Sequence, residues 1–159
     1  MMLRRKAGLL LAAGVALVGL LSLVHPFGDL HGATVSAGSL LTDTQVPEDI
    51  RRTLAKCADC HSSQTRWPAY SYVAPVSWLV QHDVSEGRKH LNFSTWQNYT
   101  QAQQLDLLNR IAAETRSGQM PPSQYTLIHR SARLSPDEQQ AMYAWAKAER
   151  RRLREAAKK

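Results

Sequence analysis

Cysteine is nearly absent from this chain: there are two in 159 residues, and they lie three positions apart. That excludes a disulfide-stapled scaffold, which needs several separated pairs. No second C-x-x-C and no H-x-x-x-H occurs, so a zinc site of ordinary ligand spacing is incomplete. Eight Gly and seven Pro are too few for a collagen-like or low-complexity chain, and 43 % hydrophobic residues are too many for a disordered one. β-rich runs are scarce and no internal repeat is visible, which leaves one ordinary domain as the expectation.

The central part also lacks net charge. The formal balance is +7, but residues 31–146 hold ten basic and ten acidic side chains. The excess sits at Arg4, Arg5 and Lys6, and in 147–159, where seven basic residues face Glu149 and Glu155. A neutral body has no phosphate-binding excess, so nucleic acid is not the expected partner.

The basic cluster at 4–6 precedes an uncharged apolar run from Ala7 to Val24, 18 residues long. Positive flank, apolar segment and polar exit form an export pattern, and this run approaches the length that spans a bilayer. Residues 1–30 are therefore expected to be an uncleaved anchor in the cytoplasmic membrane, with a cleaved signal as the alternative and Val35-Ser36-Ala37 as a distant cleavage site. The positive-inside rule then places the rest on the outer side of that membrane. Residues 31–46, small and polar, read as a flexible tether, 47–146 as the folded domain, and 147–159 as a basic helical tail. The tail's cations suit a helix C-terminal dipole, or alternatively docking on anionic lipid or an acidic redox partner.

The two cysteines form Cys57-Ala58-Asp59-Cys60-His61. A disulfide across so short a loop would be a poor staple. On a helix, thiols three apart share a face and can bond the two vinyl groups along one haem edge, with His61 directed at the iron. One covalent haem c is the cofactor this spacing calls for. A thioredoxin-like redox pair would want a β-α-β setting, which is missing here.

Helix signals dominate elsewhere. Pro47, Glu48 and Asp49 suit a helix start, with Ile50 and Leu54 forming a stripe toward Cys57. A second helix is expected over 77–90, bearing Trp78, Leu79 and Val80. Ser94-Thr95-Trp96-Gln97 matches a short capping box. Thr100 caps a third helix with Leu105, Leu108, Ile111 and Ala112, closed by Gly118. Ser135-Pro136-Asp137-Glu138 opens a last one carrying Ala141, Met142 and Trp145 inward. The fold class is all-α.

Met120, 59 residues beyond His61 and followed by Pro121 and Pro122, is the candidate second iron ligand, whereas Met142 lies in a helical stripe and reads as core. His129, His82 and His90 are the alternatives. Arg66 and Trp67, in the aromatic segment just after the motif, are candidates to face a haem propionate, with Arg88 behind them.

These residues, together with Thr65-Arg66-Trp67-Pro68, Ala74-Pro75-Val76-Ser77-Trp78-Leu79, Gly87-Arg88, Leu91-Asn92-Phe93-Ser94 and Gly118-x-Met120-Pro121-Pro122, make a chain that resembles the bacterial haem-binding domain family over roughly residues 40–152. The resemblance implies an all-α, cytochrome c-like fold with covalently attached haem, and implies no substrate. The expected activity is single-electron transfer to a redox partner protein, by a carrier more than an enzyme. A ligand-responsive or peroxide-reducing haem protein with an open distal position is the alternative.

Overall fold

The computed structural model describes residues 2–28, 30–31 and 38–158. Among them are seven α-helices and no strand: α1 (Met2–Ser22), α2 (Glu48–Ala55), α3 (Ala58–His61), α4 (Val76–His90), α5 (Gln101–Ser117), α6 (Ser123–Ile128) and α7 (Pro136–Ala156). The all-α expectation holds. Short 3-10 turns at Ala69–Tyr72, Phe93–Asn98 and Arg130–Ala132 link them.

The frame is the packing of α5 along α7, with α2 laid on α7 and α3 on α4. Both frame helices begin with reciprocal caps. The Thr100 hydroxyl accepts the Gln103 N–H while the Gln103 side chain accepts the Thr100 N–H, and Ser135 and Glu138 repeat the arrangement ahead of Pro136. Gly118 ends α5 in the left-handed region at φ 73°, where a side chain would be strained. Leu107, Leu108, Ile111 and Ala112 of α5 meet Met142 and Ala146 of α7 in one core with Ile50, Leu54, Phe93 and Trp96. Leu108 is completely buried, which contributes roughly 2–3 kcal/mol.

The structure adds local detail at four places. The packed body starts before Pro47: Leu40 and Val46 are buried, and the Leu40 N–H donates to the Phe93 carbonyl at 2.9 Å. Residues 38–46 are thus part of the domain and not a loose tether, while Val35-Ser36-Ala37 lies outside the described residues. At the other end, α7 runs on to Ala156 and Leu153 packs against the core, so the basic tail is the last turns of a structural helix. The turn near Ser94 is capped by Asn92, whose side chain accepts the Ser94 N–H. Finally, α4 buries Ser77, Gln81 and Val84, leaving Leu79 outward.

Candidate functional site

The Cys57–His61 segment forms a single helical turn. Cys57 stands at its N-cap, and its carbonyl accepts the His61 N–H at 3.0 Å. Both cysteines are free and half-buried. Burial, followed by the neighbouring Cys60, pushes the Cys57 thiol up to about 12; burial and then Asp83 push Cys60 up to about 11. These thiols stay protonated at neutral pH, unlike the low-pKa attacking thiol of a redox pair. Among the described residues no group of three or more His, Cys, Asp or Glu is placed to hold a metal ion.

His61 is oriented from outside its own helix. Its Nδ1 lies 3.1 Å from the Leu91 carbonyl, just past the end of α4. The N–H at Nδ1 donates there, which leaves Nε2 as the lone-pair nitrogen. Burial holds the imidazole below its ordinary pKa and therefore neutral, the form that binds iron. The Phe93 ring stands 6.0 Å away. Two free thiols three residues apart, beside a carbonyl-anchored histidine, fit a haem-holding site.

Three devices hold this turn. Gly87 of α4 passes so close that a Cβ there would lie 2.5 Å from the Cys60 carbonyl oxygen. Arg88 donates to the Ser62 carbonyl at 2.9 Å, to the Thr65 hydroxyl at 3.0 Å and to the Leu30 carbonyl at 3.2 Å. Asp59, inside the motif, is the third. Its carboxylate accepts the Arg66 N–H at 3.0 Å, the Arg66 guanidinium at 3.2 Å and the Tyr125 hydroxyl at 2.9 Å. Burial opposes its ionisation, but the Arg66 and Tyr125 bonds outweigh it and hold the carboxyl below the usual range.

The Tyr125 bond matters for Met120. It fastens α6, which follows the Met120-Pro121-Pro122 loop, to the attachment turn. Met120 itself is half-buried, with its N–H on the Glu114 carbonyl at 3.2 Å. His129 is engaged elsewhere: Nε2 meets the Tyr70 hydroxyl at 2.5 Å and the ring stacks on Tyr125 at 4.4 Å. His82 and His90 are exposed on α4. The Arg66 guanidinium, paired with Asp59, is otherwise 83 % exposed, and the Trp67 ring lies 4.0 Å from that of His31. Asp59 and Gly87 stand within the motifs quoted above, but their roles, and Tyr125 altogether, are not legible in the sequence. A charged residue between two buried thiols was the available signal for Asp59; α6, only six residues long, left no periodicity to reveal Tyr125.

The profile of the haem-binding domain family matches residues 16–148. The chain is also 30 % identical over 98 residues to "Cytochrome c peroxidase Ccp" of Escherichia coli (strain K12), covering 59 % of this chain and 21 % of that protein. The chain thus spans about one fifth of that relative's length. No solved structure matches. A family match over most of the length, on an all-α fold, leaves one assignment: this chain belongs to the haem-binding domain family.

Proposed function

We propose that this protein is a membrane-anchored monohaem c-type cytochrome that passes single electrons on the periplasmic side of the cytoplasmic membrane. The observation that carries the reading is the Cys57–His61 turn, with His61 Nδ1 on the Leu91 carbonyl and Nε2 left for iron. Bound haem supplies a one-electron ferric/ferrous couple. Cys57 and Cys60 would hold it as thioethers, His61 would be the proximal ligand and Met120 the distal one. Arg88 and Asp59 keep the attachment turn in place, and the Phe93 ring stands 6.0 Å from that of His61. Arg66 and Trp67, on the loop leaving the motif, are the proposed propionate neighbours. The anchor role of α1 is supported by its apolar, uncovered span and by the way its C-terminal end joins the rest of the chain: Ser22, Val24 and Leu30 are hydrogen-bonded to the folded domain.

The deciding experiment is a haem stain of the denatured, exported protein. Staining that persists in the wild type and vanishes when Cys57 and Cys60 are both changed to Ala is expected; an unstained wild type refutes covalent attachment. The ferric spectrum should then show a thioether-to-iron band that Met120→Ala abolishes. High-spin, five-coordinate iron in the resting wild type refutes the carrier and favours the peroxide-reducing alternative suggested by the relative's name.

A further inference from the structure

α4 is unusual in turning apolar side chains outward at its beginning. Val76 and Leu79, with Tyr72 and Val73 just before them, form an exposed apolar face, and Leu79 is 62 % exposed. Farther along the same side of α4, at helical spacing, come Asp83 and Glu86. The stripe is therefore apolar over its first half and charged over its second, where Glu86 pairs with Lys89 at 2.6 Å and Asp83 stands 3.4 Å from His82 Nδ1.

The end of α1 lies against this same region. The Ala74 N–H donates to the Ser22 hydroxyl at 2.9 Å, and the Trp78 indole donates to the Val24 carbonyl at 3.0 Å. The Phe27 ring stands 5.2 Å from His82, and His31 stacks 5.3 Å from Tyr72. The span Arg4–Ser22 is apolar and contains no buried residue. A helix matched to lipid thus ends one hydrogen bond away from an uncovered apolar face. Tyr and Trp beside that junction are the side chains that prefer the headgroup level. Charged side chains confined to the far half leave the apolar half as the part suited to insertion.

We propose that Tyr72, Val73, Val76 and Leu79 insert into the interfacial layer of the bilayer that α1 crosses, so that the haem domain rests on the membrane in one orientation. The inference rests on α1 being an anchor. It fixes a height for the redox site: Gly87, against which Cys60 packs, lies eight residues beyond Leu79, about 12 Å along the α4 axis at 1.5 Å per residue. The attachment turn then faces water, open to a soluble redox partner, while the start of α4 is immersed.

The test uses the full haem-loaded chain in phosphatidylcholine/phosphatidylglycerol nanodiscs. Nitroxide labels are placed singly through Leu79→Cys, through Val15→Cys in α1 and through Lys147→Cys in α7. Their collision rates with oxygen, which partitions into lipid, and with a water-soluble nickel chelate are compared. The proposal expects the oxygen-to-nickel ratio at 79 to exceed that at 147 several-fold and to approach that at 15. A ratio at 79 equal to that at 147, with 15 lipid-like, overturns membrane docking and leaves the anchor intact. Water-like behaviour at 15 as well overturns the anchor and the proposal with it. Shielding of 79 from both reagents means a protein surface covers the face, which also overturns the proposal.

Discussion

Replacing Gly87 by Ala tests the idea that close approach of α4 to the attachment turn fixes its geometry. On propensity alone the change is favourable, since Gly in a helix interior costs about 1 kcal/mol relative to Ala. The added Cβ, however, would stand 2.5 Å from the Cys60 carbonyl oxygen, 2.9 Å from its Cβ and 3.0 Å from its carbonyl carbon. Two of those atoms are backbone, so no rotamer change can clear them and the whole turn must shift. Forced overpacking of this kind costs typically about 1–3 kcal/mol, and more where backbone has to move. Less the propensity gained, the clash leaves a net loss of up to about 2 kcal/mol. For a domain of this size that lowers Tm by up to roughly 8 °C. Circular dichroism melting of the purified protein reads the loss, and the fraction of chain carrying covalent haem reads displacement of Cys60. An unchanged or higher Tm with full haem attachment would mean that helix propensity dominates, and the tight-packing argument would be wrong.

Asp59→Asn keeps the shape but removes the charge that gathers Arg66 and Tyr125. With hydrogen bonds to charged groups worth about 1.5–3 kcal/mol each, discounted here because Arg66 is exposed, a Tm several degrees lower is expected; an unchanged Tm would deny Asp59 its role. Glu138 is held below its ordinary pKa: burial alone would raise it, but the Lys56 ammonium and the Ser135 backbone N–H prevail. A lowered folded pKa gives stability that is present above the unfolded value, near 4.3, and is lost as pH falls through the folded one. Glu138→Gln should therefore be less stable than wild type at pH 7 and converge with it in acid, as followed by denaturant melts at several pH values. A constant difference across that range would refute the pairing.

The attachment motif, the helix caps and the apolar run at 7–24 act locally, and each can be read from neighbouring residues. Thr100 with Gln103 and Ser135 with Glu138 close their caps within one turn, while Cys57 and Cys60 share a face through helical geometry alone. Pairings across long separations leave no such trace. The Leu91 carbonyl that selects the His61 tautomer is 30 residues away, and Tyr125 is 66 residues from the Asp59 it binds. Leu40 reads as tether because its apolar neighbours are few, yet its burial depends on Phe93, which only folding brings beside it. The outward Leu79 is equally illegible, since an apolar residue on an amphipathic helix gives no sign of which side is covered. The sequence by itself determined that the chain is helical, that it carries an apolar span at 7–24 and that Cys57, Cys60 and His61 share one turn, because those properties depend on residues within a few positions of one another. Only the tertiary structure decided how that turn is clamped, which nitrogen of His61 is available and which face of α4 is left uncovered, because each depends on contacts between distant segments.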